Sequence, residues 1–140
     1  MEIKISKNTL TVDLYKSIRK TAGFLSYSDI DIKEALKNSL YTVVVYCDAR
    51  AVGIARVVGD NRVAFFIKDV VVIPEFQQMG VGDIIMKNIF EYLNENAAKN
   101  AYVGLMSTPG KERFYEKYGF IERPTKSLGS GMVMFYDKKE

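Results

Sequence analysis

Residues 70–85 read VVVIPEFQQMGVGDII, and this stretch joins a strand-like run to the start of a helix. Residues 70–73 are apolar and β-branched, which favours a buried strand that ends at Pro74. Beyond the turn, apolar residues recur with the 3.6-residue period of a helix, at Val81, Ile84, Ile85, Ile89, Phe90 and Leu93. The stretch therefore predicts a strand-turn-helix unit with two glycines, Gly80 and Gly82, at the helix start.

The two glycines indicate contact with an anion. The first N–H groups of a helix lack intrahelical partners, and the helix dipole adds positive charge there. Because glycine has no Cβ, a ligand can approach the backbone closely at Gly80 and Gly82. A dinucleotide fingerprint would need a third glycine where Ile85 stands, and a P-loop would need a Gly-Lys-Ser/Thr that is absent. The alternative is that the glycines only permit a tight turn, with Asp83 satisfying the helix dipole.

The rest of the chain predicts an α+β fold. Before the unit we expect, in chain order, a strand at 2–6, a helix capped by Asn8 or Thr9, a helix capped by Ser28 or Asp29, and antiparallel strands at 41–46, 51–58 and 62–73. After it we expect strands at 101–106, 120–121 and 132–136, with a short helix at 111–117 before the last two. A strand-helix-strand crossover implies parallel neighbours. The prediction is one domain over residues 1–140, with a mixed, mostly antiparallel sheet of six to seven strands flanked by helices in three layers.

Composition excludes several classes of function. The 140 residues are 48% hydrophobic and 26% charged, which suits one soluble globular core. The 20 basic and 17 acidic residues include no run of five or six Lys/Arg, so no nucleic-acid partner is predicted. No apolar run reaches the ~18 to 20 residues that cross a bilayer and no secretory signal pattern is present, so we expect a cytoplasmic protein without a membrane partner. There is no histidine, which excludes a Ser-His-Asp triad and a His-ligated zinc site, and no metal is expected.

Two motifs resemble hallmarks of the GNAT superfamily of acetyl-CoA-dependent N-acetyltransferases. Residues 77–82, QQMGVG, are similar to its Gln/Arg-x-x-Gly-x-Gly/Ala signature, and residues 114–120, FYEKYGF, resemble its second hallmark. The order of predicted elements agrees over nearly the whole chain. The resemblance implies a fold in which the strands at 70–73 and 102–106 splay apart, leaving a wedge for acetyl-CoA. Dimerisation is common in the superfamily, so a homodimer is left open.

The resemblance also implies a cofactor site. In such proteins, backbone amides at the positions of residues 78–83 hold the pyrophosphate of coenzyme A, and the preceding strand bonds the pantetheine arm. The residues assigned in this way are Val71, Val72, Ile73, Gln77, Gln78, Met79, Gly80, Val81, Gly82 and Asp83. Many members carry Arg-Gly-Lys or Gln-Gly-Lys where this chain has Gln77-Gln78-Met79, which implies lower affinity for the cofactor.

Acetyl transfer from a thioester to a primary amine needs groups that move protons. Tyr115 matches the superfamily's proposed general acid, and a phenol with a pKa near ~10 is a plausible donor to the thiolate; a packing role is the alternative. Asp69 is a candidate general base, if it lies in a desolvated cleft. The alternative interpretation is that Asp69 is an exposed strand residue that pairs with a neighbouring cation. Phe24, Tyr27 and Arg56 are candidate acceptor-site residues, because the early helix-loop-helix often covers the acceptor in this superfamily.

These observations predict an N-acetyltransferase whose acceptor is the primary amine of a small molecule or a peptide. The alternative from another class is a protein that binds coenzyme A or acetyl-CoA as a sensor or regulatory module, without turnover. The retention of Tyr115 favours the enzyme.

Overall fold

The computed structural model describes residues 1–139, and it separates into two compact units, Met1–Met106 and a second that begins at Ser107. In the described residues, the first unit contains five strands and three α-helices. In chain order they are β1 Ile3–Lys7, α1 Val12–Thr21, α2 Asp29–Lys37, β2 Tyr41–Cys47, β3 Arg50–Gly59, β4 Ala64–Val72, α3 Val81–Asn96 and β5 Tyr102–Leu105. This is the mixed α+β architecture that the sequence predicts.

The strands form one sheet in the order β1-β2-β3-β4-β5. The first four strands are antiparallel neighbours, whereas β5 returns parallel to β4 after α3, which confirms the predicted meander and crossover. The centre of the sheet is buried because β2 and β3 are rich in valine and isoleucine. At Gly53 an added Cβ would lie only 2.9 Å from Val81 Cγ1, so a glycine lets α3 pack closely on β3.

Strand β4 is longer than its neighbour β5, which pairs with it along all four of its residues. Pairing runs from Ala64 opposite Tyr102 to Ile67 opposite Leu105, and β4 then continues to Val72. The last five residues of β4 therefore run beyond the end of β5, and this edge of β4 has no paired strand among the described residues.

The start of the first helix differs from the prediction. The N-cap of α1 is Thr11, whose side chain accepts a hydrogen bond from the Leu14 amide at 3.2 Å, rather than Asn8 or Thr9. Asn8 adopts a left-handed φ of 61° and its side chain accepts a bond from the Thr42 amide at 3.1 Å. Asn8 ends β1 instead of beginning the helix. The predicted Ser28 cap of α2 is confirmed, with its hydroxyl accepting from the Asp31 amide.

The second unit contains one short helix, α4, at Glu112–Glu116. The strands predicted at 120–121 and 132–136 are wrong: residues 117–139 contain no helix or strand, and the described sheet has five strands rather than six or seven. Residues 132–136 are apolar, yet each is largely exposed. High β-propensity does not produce a strand without a paired neighbour. Among residues 1–139, every helix is too short or too polar to traverse a lipid bilayer.

Candidate active site

The glycine-containing turn leads from β4 into α3. After a 3₁₀ turn at Pro74–Phe76, Gln78 and Gly80 both adopt left-handed backbone conformations, with φ of 62° and 85°. Gly80 is the N-cap of α3, and within the described chain no side chain caps this helix. An added Cβ at Gly80 would meet no described atom within 4 Å. The backbone at the start of α3 is therefore accessible at Gly80, and Asp83 lies in the first turn of the helix.

The strand residues assigned to the cofactor differ in their main-chain bonds. The Ile73 amide donates to the Val52 carbonyl at 2.9 Å, and the Ile73 carbonyl accepts from the Phe76 amide at 3.0 Å. The Val72 carbonyl accepts from Gln77 Nε2 at 3.0 Å, so this glutamine braces the turn through its side chain. Since alternate residues of a strand turn their main-chain groups to the same edge, Val71 faces β3 as Ile73 does, and the Val72 amide is better placed for a ligand than either.

Asp69 lies at an irregular point of β4. Arg56 is opposite Lys68 and Ile54 is opposite Val71, so two residues of β4 face one residue of β3. Asp69 is one of the two, and it has a φ of 58°. Such a β-bulge re-aims the side chains around it, and aspartate is one of the few residue types that tolerate this conformation. The bulge begins two residues beyond the last pair between β4 and β5.

Two arginines and a tyrosine surround the Asp69 carboxylate. Arg56 Nε donates to Oδ2 at 2.7 Å, Arg19 Nε lies 2.9 Å from Oδ1, and the Tyr15 hydroxyl donates to Oδ2 at 3.1 Å. The Arg19 contact is an ion pair by distance, but its Nε–H is not aligned for a hydrogen bond. The Asp69 side chain is 2% exposed, so the alternative of an exposed strand residue is wrong. The cations that pair with Asp69 are Arg19 and Arg56.

Tyr15 serves this cluster as a neutral donor. Burial raises the pKa of the Tyr15 phenol, the negative charge of Asp69 raises it further, and the guanidiniums of Arg56 and Arg19 act in the opposite direction. A raised pKa keeps the phenol protonated at neutral pH. Both oxygens of Asp69 are thus engaged by donors or cations.

The candidate acceptor residues, Phe24, Tyr27 and Arg56, lie around Arg19. Its guanidinium lies 5.4 Å from the ring centroid of Phe24 and 5.5 Å from that of Tyr27, and Arg56 shares Asp69 with it. Phe24, Tyr27 and Arg19 also line a pocket of about 580 Å³, which Lys16 and Lys20 border. The structure therefore brings together Phe24, Tyr27 and, through Asp69, Arg56.

The sequence reasoning missed Arg19 and the role of Tyr15. Tyr15 and Ile18 lie on the buried face of α1, and Arg19 is four residues after Tyr15 on the same face. An arginine on the apolar face of a helix indicates a buried partner, because burying an unpaired charge is costly. That signal was present, but the partner, Asp69, is fifty residues further along the chain.

Tyr115 lies in α4 of the second unit, among other aromatic residues. Its ring makes edge-to-face contacts with Phe114 at 5.0 Å and Phe120 at 6.2 Å between centroids. Burial raises the pKa of the Tyr115 phenol above the ordinary value of 10.0. Tyr115 therefore keeps its proton at neutral pH, which a general acid needs, while its aromatic contacts also fit the packing alternative.

The comparisons with known proteins agree with this geometry. The family model described as acetyltransferase (GNAT) domain matches residues 12–136. Over 123 residues, 84% of this chain and 70% of the relative, the chain is 31% identical to the ycf52 N-acetyltransferase of Porphyra purpurea. It is 32% identical over 117 residues to the chloroplastic GCN5-related N-acetyltransferase 1 of Arabidopsis thaliana, covering 82% of this chain and 58% of that protein.

Solved structures give the same result. SA2161 of Staphylococcus aureus, a probable acetyltransferase, superposes with a TM-score of 0.86 at 30% identity, over 96% of this chain and all of that chain. AAC(6')-Iy, solved in complex with a bisubstrate analogue of coenzyme A, shares the fold with a TM-score of 0.68 at 18% identity, over 99% of each chain. This chain belongs to the GNAT family of acetyltransferases.

Proposed function

We propose that this protein transfers the acetyl group of acetyl-CoA to the nitrogen of a primary amine. The observation that carries the proposal is the accessible backbone at Gly80 where α3 begins, which follows the part of β4 that runs beyond the end of β5. Backbone N–H groups and the helix dipole at this point suit the pyrophosphate of coenzyme A. The family match over residues 12–136 supports a single acetyltransferase domain over 1–140.

The reaction requires no covalent intermediate on the protein. The neutral amine attacks the thioester carbonyl, a C–N bond forms, and the C–S bond breaks with the electron pair leaving on sulfur. Tyr115 then donates its phenolic proton to the thiolate, and its burial keeps that proton in place at neutral pH. The nitrogen gives up a proton to a base or to water.

The base role of Asp69 stays a prediction. Two guanidiniums hold its carboxylate, and Tyr15 donates to the same oxygen as Arg56. Both of its oxygens are therefore already engaged by donors or cations, which leaves neither free for the proton of the amine. These contacts favour a structural role for Asp69, and much of the rate would then come from bringing the amine and the thioester together.

We place the acceptor at the pocket that Phe24 and Tyr27 line, with Arg56 as a more distant member through Asp69. Aromatic faces and neighbouring polar groups are typical of sites for small ligands. The acceptor is the amine of a small molecule or a peptide. The alternative, a sensor without turnover, uses the same cofactor site and differs only in that no amine is acetylated.

Binding and turnover can be tested separately. Acetyl-CoA at about 100 times its Kd should stabilise the protein against unfolding by about 2.7 kcal/mol. A panel of primary amines, monitored for release of the free thiol of coenzyme A, then tests transfer. Stabilisation without release from any amine would favour the sensor, and no stabilisation would contradict both functions.

Charge variants at Met79 test the location of the phosphates. Met79 is exposed next to Gly80, where many family members carry a basic residue. Met79→Glu should weaken acetyl-CoA binding about five- to tenfold and Met79→Lys should strengthen it, because the change in charge acts on the pyrophosphate. Met132→Glu, at another exposed methionine, should leave Kd unchanged. Equal effects of the two Glu variants would contradict this location.

A further inference from the structure

Arg19 contacts two separate parts of the first unit. One is the loop between α1 and α2, here called the acceptor loop and defined as residues 23–28. The other is the bulge of β4 at Asp69, next to the strand residues assigned to the cofactor. The Arg19 side chain is 8% exposed, so both contacts are made away from bulk water. Buried contacts of this kind are stronger than the same contacts on the surface.

Three contacts hold the acceptor loop to the side chain of Arg19. Arg19 Nη1 donates to the Leu25 carbonyl at 2.9 Å, and the guanidinium lies against the rings of Phe24 and Tyr27. Leu25 and Tyr27 are themselves exposed, so little apolar burial fixes this segment. The geometry of the loop therefore depends strongly on one side chain.

The opposite side of the same guanidinium is fixed by Asp69. Arg19 Nε lies 2.9 Å from Oδ1, while Arg56 and Tyr15 hold Oδ2. Because Arg56 and Tyr15 keep the carboxylate in place, the bulge stays defined if Arg19 alone is changed. If the charge of Asp69 is removed, Arg19, Arg56 and Tyr15 lose their common partner, and the bulge is no longer held by these contacts.

We propose that Arg19 is a positioning residue that couples the acceptor loop to the β4 bulge, so that the walls of the acceptor pocket are fixed relative to the cofactor strand. This assignment rests on the proposed function, since it concerns the acceptor side of the same site. Arg19 touches neither reacting atom. It acts through Phe24 and Tyr27 on one side and through Asp69 on the other.

Arginine is required by the geometry. Its planar group donates to Leu25, lies at ion-pair distance from Asp69 and presents its face to aromatic rings at the same time. A lysine keeps the charge and can reach Asp69, but its point-like ammonium cannot make all of these contacts. Arg19→Lys therefore separates the role of charge from the role of shape.

Hydrogen exchange of backbone amides tests the coupling without any assay of activity. In Arg19→Lys and in Asp69→Asn, the Phe24 amide, which donates to the Arg19 carbonyl at 3.4 Å, should exchange about tenfold faster than in the wild type. Asparagine tolerates the left-handed conformation of position 69, so Asp69→Asn removes the charge while keeping the backbone preference. Arg50→Lys is the matched control, because Arg50 also pairs with a carboxylate, Glu75, and contacts a ring, but on the surface.

Kinetics distinguish positioning from general loss of stability. Arg19→Lys should raise KM for the amine about tenfold and leave Kd for acetyl-CoA within about twofold of the wild type. Asp69→Asn should raise both constants. Leu93→Ala, a core change in α3, should lower stability and leave the amine KM unchanged.

Wild-type exchange of the Phe24 amide in Arg19→Lys, or an increase no greater than that in the rest of the unit, would overturn the proposal. So would an equal rise in the amine KM in Leu93→Ala. If acetyl-CoA does not bind or no amine reacts, the proposed function fails, while the exchange experiment still tests whether Arg19 holds the loop.

Discussion

The two units of this protein use similar residues to different effect. In Met1–Met106, three valines of β2, Val43, Val44 and Val45, are fully buried, and Phe65 of β4 is 2% exposed. In the unit that begins at Ser107, a run of equally apolar residues at 132–136 is open to solvent, and Phe135 is 76% exposed. The difference shows that apolar character does not by itself bury a segment. Burial follows from a register in which a strand has a paired neighbour and a packed face.

The largest expected difference between the two units is in the stability cost of removing a phenylalanine ring from each. Phe65→Ala should lower the free energy of unfolding by about 3 to 5 kcal/mol, because it removes a ring from a packed core. Phe135→Ala should change the same quantity by less than about 0.5 kcal/mol, because the ring is already in water. Denaturant titrations of the two variants beside the wild type provide the measurement. A cost above about 1 kcal/mol for Phe135→Ala would mean that residues 132–136 are packed in solution.

A second test asks whether the second unit contributes chemistry rather than stability. Tyr115→Phe keeps the ring and its contacts with Phe114 and Phe120 but removes the phenolic proton. Turnover should fall about 100- to 10,000-fold with little change in Kd for acetyl-CoA. Tyr118→Phe, two residues after α4, is the control and should keep turnover near that of the wild type.

The pH dependence sharpens this test. Because burial raises the pKa of Tyr115 above 10.0, the acid form persists to alkaline pH and turnover should decline only above about pH 10. The residual activity of Tyr115→Phe should lack this decline. An unchanged rate in Tyr115→Phe at every pH would leave only the packing role for this residue.

The comparison also explains what the sequence could predict. Residues 81–96 form α3 because the helical period of their apolar residues is long and unbroken, and the valine-rich strands were recognisable from local composition alone. The strand predicted at 132–136 rested on the same kind of local signal, which carries no information on whether a partner is present.

The candidate site was predictable to the extent that its function is local. The turn at Gly80 was found because left-handed backbone and an open helix start leave a trace in consecutive residues. The cluster around Asp69 was not found, because it joins Tyr15 and Arg19 of α1 with Arg56 of β3 and a bulge in β4. No short segment contains that arrangement.

Replacing a glycine in each unit should give a smaller difference in stability between the two units. At Gly59, where β3 ends, φ is 147° and an added Cβ would lie 2.1 Å from the Ala64 carbonyl oxygen. Gly59→Ala should therefore cost about 1 to 3 kcal/mol of stability, since the backbone must shift. At Gly129 of the second unit an added Cβ meets no described atom within 4 Å, and Gly129→Ala should be nearly neutral. Thermal unfolding of both variants checks the contrast, and equal losses would contradict it.

The smallest effect concerns an exception inside the well-packed unit. The Tyr41 hydroxyl is buried and has no hydrogen-bond partner among the described residues, although its ring stacks on Tyr92 at 4.8 Å. Tyr41→Phe keeps the stacking and removes a polar group that few proteins leave unsatisfied, so it should be neutral or stabilising by up to about 1 kcal/mol. A loss above about 1 kcal/mol would show that an ordered water satisfies the hydroxyl.

The same residue gives stability a defined dependence on pH. Burial, and then the negative charge of Glu91, raise the pKa of Tyr41 to about 12, whereas the phenol of the unfolded chain titrates near ~10. Between these values the unfolded chain loses its proton while the folded protein keeps it, so the free energy of unfolding falls from about pH 10 to about pH 12. Tyr15, Tyr92 and Tyr115 also have raised pKa values, so part of this fall remains in Tyr41→Phe. The difference between wild type and variant isolates Tyr41: the variant should gain relative stability above pH 10, and parallel curves would mean that the hydroxyl is in contact with water.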